Sequence, residues 1–175
     1  NISGLISNRA NVTCNNTTGT AAYGAGNKAN ANNTTVNMNT STIGTVYGGG
    51  NNAAATNGST VNINSGTYDT VFGGGNSAGE NASASATINY YYGTSNNVFG
   101  GSNASGDITT TNVNIGPNSG AVKIENTNMN IYGGNNAGGS VQTTNVNLNN
   151  VRCNDVFGGG NGAYKYGGSE GSWSV

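Results

Sequence analysis

One six-residue block recurs through the chain and limits its fold more than any other feature. Val46-Tyr47-Gly48-Gly49-Gly50-Asn51 returns at 71–76, 98–103, 131–136 and 156–161, after a degenerate first copy, Ala22-Tyr23-Gly24-Ala25-Gly26-Asn27. Its aromatic residues are Tyr23, Tyr47, Phe72, Phe99, Tyr132 and Phe157, spaced 24, 25, 27, 33 and 25 residues apart. A second block precedes each copy: Thr35-Val36-Asn37-Met38-Asn39, then Thr60-Val61-Asn62-Ile63-Asn64, Thr87-Ile88-Asn89-Tyr90, Asn112-Val113-Asn114-Ile115 and Asn145-Val146-Asn147-Leu148, with Asn11-Val12-Thr13-Cys14 as the degenerate first copy. From its first apolar residue to the aromatic is 11 positions in five units: 12 to 23, 36 to 47, 61 to 72, 88 to 99 and 146 to 157. In the remaining unit, 113 to 132, it is 19, so an eight-residue insertion is expected within residues 116–127. Rigid segments alternating with variable ones are the mark of a stacked repeat, one unit per coil with insertions sent to loops.

The second block alternates apolar and polar residues, the pattern of a strand with one buried face. The predicted buried set is Val36 and Met38, Val61 and Ile63, Ile88 and Tyr90, Val113 and Ile115, and Val146 and Leu148; Asn37, Asn62, Asn89, Asn114 and Asn147 point outward. No window shows a helical period, and Gly and Asn are poor helix formers. A strand of about five residues cannot bury its face alone, but stacking similar units in register does. The predicted fold is therefore all-β, a parallel β-solenoid (β-helix) of six coils of about 25 residues each. At ~4.8 Å per layer this gives a rod roughly 29 Å long. Residues 10–162 form the solenoid, 1–9 an N-terminal cap or docking segment, and 163–175 a C-terminal tail that caps its own coil or docks on a neighbour.

Stacking places like residues over like. The six aromatic residues are expected to form one ladder, and Asn27, Asn51, Asn76, Asn103, Asn136 and Asn161 another, four positions further on. An Asn amide carries both donors and an acceptor, so it can bond the same amide above and below. It also tolerates the left-handed backbone of tight corners. Gly24, Gly48, Gly73, Gly100, Gly133 and Gly158 follow the aromatic directly, which implies either a positive φ or a close backbone approach. A phosphate-cradling loop does not fit, because no helix and no Lys-Ser/Thr pair follows.

Composition narrows the function. Hydrophobic residues are 33% and charged residues only 6%, against about 25% charged in ordinary domains. Such polarity often means disorder, but here net charge is −1 and the β-branched and aromatic residues recur at fixed places. The absence of a basic stripe argues against nucleic acid as a partner. No apolar run approaches the ~20 residues that cross a bilayer. Near-zero net charge removes repulsion between copies and favours self-association. No leader pattern is visible at Asn1, so the sequence reads as a mature form.

The V-[YF]-G-G-G-N block, paired with a T-V-N-[IM]-N strand, resembles repeats of bacterial cell-surface and adhesin-like β-solenoid proteins. The resemblance covers about residues 10–162. It implies a β-helical surface protein, secreted or at the cell surface, used in adhesion or fibre formation. Six units without a sorting signal favour a free or self-assembling subunit.

Catalytic chemistry has little to draw on. With no His, the commonest general acid/base and zinc ligand is missing. Asp69, Glu80, Asp107, Glu125, Asp155 and Glu170 share no ladder position and read as solvated charges; the alternatives are a carboxylate pair for glycoside hydrolysis and a weak Ca²⁺ site. No cofactor and no metal is expected, and the chain does not read as an enzyme. Cys14 matches Met38 and Ile63, while Cys153, four before Phe157, matches Ile43 and Tyr68. Five layers apart, they cannot bridge internally. Head-to-tail stacking would bring them into adjacent layers as an intermolecular disulfide; otherwise they are buried free thiols. Sequons such as Asn11, Asn39 and Asn103 leave glycosylation open. Neither terminal segment reads as a capping helix, which favours docking on a neighbour.

The leading expectation is a structural subunit of an extracellular filament or matrix, whose partners are copies of itself stacked head-to-tail. The alternative is an adhesin module binding glycans or a surface through Tyr91, Tyr92, Tyr164 and Tyr166. Ice binding through Thr109, Thr110, Thr111, Thr143 and Thr144 is a third, weakened because Thr keeps no single ladder position.

Overall fold

The computed structural model describes residues 7–77, 83–117, 124–162, 165–166 and 169–170. Among these there is no helix, and so none long and apolar enough to cross a membrane. The chain is a parallel β-solenoid of six coils. Each coil contributes one strand to each of two six-stranded sheets. The first sheet, in order, is β1 (Ser7–Asn15), β3 (Ala31–Asn39), β5 (Ala55–Ile63), β7 (Ser83–Tyr90), β9 (Ile108–Ile115) and β12 (Val141–Leu148). The second is β2 (Thr18–Tyr23), β4 (Ser41–Tyr47), β6 (Gly66–Phe72), β8 (Thr94–Phe99), β11 (Asn130–Tyr132) and β14 (Val156–Phe157). Every pairing within them is parallel, with one register shift between β3 and β5 where Ala31 meets Ala55 but Asn33 meets Gly58, and Val12, Val36, Val61, Ile88, Val113 and Val146 form one file.

The first sheet follows the alternation in the sequence. Its strands are longer than five residues, eight or nine each, because the pairing extends upstream to residues such as Ala31 and Ala55. The first strand opens at Ser7, so residues 7–9, expected in the cap, belong to the first coil. The second sheet was not legible as strand, since Gly44 and Asp69 interrupt the alternation of β4 and β6 and fall outside the paired register. Of the tail, β15 (Lys165–Tyr166) and β16 (Ser169–Glu170) pair antiparallel; Tyr164, Trp173 and Val175 lie outside the described residues.

The insertion in the fifth unit is split in two. β10 (Ile124–Glu125) pairs with β13 (Val151–Arg152). Seven positions separate Ile124 from Ile131, whereas five separate their partners Val151 and Val156. Two extra residues therefore fall between Glu125 and Asn130, around a turn closed by Met129 N–H to Asn126 C=O at 3.0 Å. The expected range, ending at 127, stops short of Met129.

The two sheets enclose one core in which Val36, Val46, Val61, Val71, Ile88, Val98 and Val113 are fully buried. Layers match by volume. In the third coil Ile63 faces Tyr68; in the fourth Tyr90 comes from the first sheet and Ser95 from the second. Three coils, the second, third and fifth, are braced across the core by a hydroxyl: Thr34 donates to Gly48 C=O at 2.6 Å, Ser59 to Gly73 C=O at 2.5 Å and Thr111 to Gly133 C=O at 2.5 Å. Val146 and Leu148, expected inside, are half-buried and 40% exposed respectively, because no full layer of described residues lies above the sixth coil.

The two core tyrosines differ in one respect. Tyr68 Oη donates to Ser65 C=O at 2.6 Å, and burial, with Cys14 nearby, pushes its phenol up to about 12. Tyr90 Oη is buried with no partner. A buried hydroxyl without a partner loses its hydration for nothing, so its removal is neutral or favourable. Tyr90→Phe is expected to leave the unfolding free energy unchanged or raise it by about 1 kcal/mol, and Tyr68→Phe to lower it by about 1 kcal/mol, both read from denaturant titrations.

Candidate functional site

The repeated V-[YF]-G-G-G-N block builds the corner where β2, β4, β6, β8, β11 and β14 leave the second sheet. Val46 and its equivalents point into the core, so the next residue points out. The outward rings of Tyr23, Tyr47, Phe72, Phe99, Tyr132 and Phe157 stack in one file, with centroids 4.8, 5.1, 5.0, 4.5 and 4.9 Å apart and planes within 12°. Inside the file Tyr47, Phe72 and Phe99 are buried, although they lie outside the main core. Burial, reinforced by Tyr23, raises the Tyr47 phenol above its ordinary value. The ring edges look into a shallow groove flanked by Thr45, Thr70 and Asn97 on one side and Asn103, Asn136 and Asn161 on the other.

The Asn file runs beside the rings. Asn51 donates its amide to Asn27 Oδ1 at 2.8 Å, Asn76 to Asn51 at 2.8 Å, Asn103 to Asn76 at 2.8 Å, Asn136 to Asn103 at 2.8 Å and Asn161 to Asn136 at 3.1 Å. A second file on the outer face of the first sheet joins Asn37, Asn62, Asn89, Asn114 and Asn147 at 2.8–3.1 Å. The period-two pattern gave the outward direction of these residues but not their bonding. In both files the later coil donates and the earlier accepts, so the rod is polar from end to end.

The left-handed backbone expected along the Asn27 file is not there. Among non-glycine residues positive φ falls at Asn16, Thr40 and Asn150, in the opposite corner, where the chain turns from the first sheet to the second. The glycines after the rings have no positive φ either. Their constraint is close approach: a methyl on Gly24 would strike Gly48 O, on Gly48 Gly73 O, on Gly73 Gly100 O, on Gly100 Gly133 O and on Gly133 Gly158 O. In each case the obstacle belongs to the next coil. At Gly158 no described residue lies within 4 Å, and the same holds at Gly159.

The sixth coil thus presents an unfinished layer. Its strands β12 and β14 are sheet edges. Val156 and Phe157 are each 45% exposed, and Gly159 and Gly160 border an open cavity of about 340 Å³. No described residue donates to Asn161 Oδ1. At the other end β1 and β2 are edges, one face of the Tyr23 ring has no described ring against it, and Asn27 accepts from Asn51 without donating to a described residue. The two ends match: acceptor faces donor, ring faces ring, and bare glycine faces the coil that would cover it.

The other candidate residues are dispersed. Asp69, Asp107, Glu125 and Asp155 are exposed, and none pairs in register with another. Asp107 accepts from Ser140 N–H and Oγ at 2.8 Å, which holds its carboxyl below the usual range. Among the described residues no three His, Cys, Asp or Glu side chains gather as metal ligands. Tyr92 is exposed and Tyr91 half-buried at one corner. Of the Thr set, Thr111 is buried, so it does not belong to a surface array. Cys14 and Cys153 are both free and half-buried, packed against the two ends of the core.

Compared with known protein families, curated proteins and solved structures, the chain matches none.

The glycine file yields a contrast within one repeat position. Gly73→Ala is expected to lower the stability of the isolated subunit by about 2 kcal/mol through overpacking, whereas Gly158→Ala should change it by less than about 0.5 kcal/mol. Denaturant unfolding of the two variants at a subunit concentration too low for association measures the difference.

Proposed function

We propose that the chain is a structural subunit of an extracellular filament or matrix that grows by end-to-end stacking of solenoids. The observation that carries this reading is Gly158, a glycine whose spatial reason is missing among the described residues. At five equivalent positions a side chain is forbidden by the carbonyl of the next coil; at Gly158 the same residue type stands with no described residue against it. The first coil of a second copy, set in the register of the others, would bring Gly24 O to that place.

Three further features support the same junction. Tyr23 of the added copy would continue the ring file above Phe157, covering apolar surface. Its Asn27 amide would donate to Asn161 Oδ1. Its strands β1 and β2 would pair with β12 and β14, removing edges that otherwise invite uncontrolled pairing. An interface that joins opposite ends of one subunit is heterologous, and without closure it propagates as a filament. The low charge removes repulsion between copies. The resemblance to bacterial surface repeats supports a location outside the cell.

Gly158→Leu tests the junction without touching any contact among the described residues. It is expected to keep the circular dichroism and unfolding midpoint of the parent subunit and to abolish filaments in negative-stain micrographs. Filaments of undiminished length from this variant would contradict the stacking.

A further inference from the structure

The junction proposed above brings together the two cysteines that the subunit keeps apart. Cys14 opens a file of inward side chains on the first sheet, followed by Met38, Ile63, Tyr90, Ile115 and Leu148. Cys153 closes the facing file on the second sheet. That file begins at Gly19 and passes through Ile43, Tyr68 and Ser95. Met129 follows, its Sδ 3.5 Å from Ser95 Oγ, and Cys153 comes last, next to Asn154, whose N–H bonds Met129 C=O at 2.9 Å. Within one subunit the thiols are five layers apart, each step 4.5–5.1 Å by the ring file. This is far beyond the roughly 7 Å Cα separation a disulfide spans.

In a stacked pair the separation collapses to one layer. Cys14 of the added copy would sit over Leu148, and Gly19 over Cys153. Every other layer of the second-sheet file fills that place with a side chain. Gly19 brings no side chain of its own, and Ile43 Cδ1 comes within 3.2 Å of the place its Cβ would take from the coil beyond, so only on the side facing the added junction does the Cys153 sulfur have room to reach across the corner toward the Cys14 above. We infer that stacked copies are locked by a disulfide between Cys153 of one copy and Cys14 of the next. This lock rests on the stacking reading.

The chemistry is two thiol–disulfide exchanges with a small-molecule disulfide of the surrounding medium. One cysteine, as thiolate, attacks the small disulfide, forming a mixed disulfide and expelling one small thiolate. The second cysteine, losing its proton, attacks the protein sulfur of that mixed disulfide and expels the other small thiolate. The protein gives up two electrons and two protons, and the small disulfide becomes two thiols. Burial, with Asp155 beside it, pushes the Cys153 thiol up, which slows its exchange with free disulfides.

The test begins with full-length protein assembled in reductant, then moved into oxidised glutathione and run on a non-reducing denaturing gel. The expected result is a ladder of multimers that collapses on reduction. Cys14→Ser alone and Cys153→Ser alone should each give monomer only, while an equal mixture of the two should give dimer and nothing larger, because each subunit then carries a single cysteine. Cys→Ala variants repeat the series should a serine disturb packing. Disulfide dimers from either single variant would overturn the lock, as would a monomer band of raised mobility from an internal bridge. Filaments in reductant with no ladder after oxidation overturn the lock and leave stacking standing; no filaments and no ladder overturn both.

Discussion

Everything in this molecule depends on one constraint, that each coil lies over the last in parallel register at the spacing of a β-sheet. Hydrogen-bonded strands are about 4.8 Å apart, and side chains emerging at that interval must either suit their own kind or be absent. Asn suits its own kind because its amide both donates and accepts. Flat rings do so by stacking: isolated aromatic pairs prefer offset or edge-to-face contacts, yet here the planes stay within 12° because the backbone dictates the interval. At the position after the ring, where the carbonyl of the next coil intrudes, only Gly fits. A chain with 33% hydrophobic residues can hold a core under these conditions because each coil is covered by its neighbours rather than by a separate layer.

That constraint explains which parts of the fold were legible. Strict alternation in Val61-Asn62-Ile63 exposed the first sheet, and the fixed distance from there to Phe72 exposed the coil. The second sheet stayed hidden because Gly44 and Asp69 interrupt its alternation, and a single sequence does not show that a strand can bend there and still pair. The glycine after the ring admitted two physical reasons, and only coordinates separate a positive φ from a close approach. Leu148 was misplaced for a different reason. Alternation reports which face of a strand a residue takes, and burial of that face also requires a coil beyond it. The eight-residue insertion was legible in length but not in placement, since its division around Met129 depends on how Ile124 pairs with Val151.

The candidate site was legible in part. The residues of the ring and Asn files could be named from spacing, but their polarity could not, because the direction of an amide chain exists only once the coils are built. Polarity is what makes the ends complementary rather than merely sticky. A non-polar stack could meet its copies in either sense, whereas donors leading at one end and acceptors left at the other would give the proposed filament a single sense of growth.

The most direct measurement is a helical reconstruction of the assembled protein by cryo-electron microscopy. Head-to-tail stacking predicts an axial rise of roughly 29 Å per subunit, six layers at ~4.8 Å, with Tyr23 of each copy lying on Phe157 of the one before and every strand parallel across the junction. Subunits joined by a two-fold axis, Phe157 against Phe157, or particles that remain one subunit long at high concentration, would contradict it.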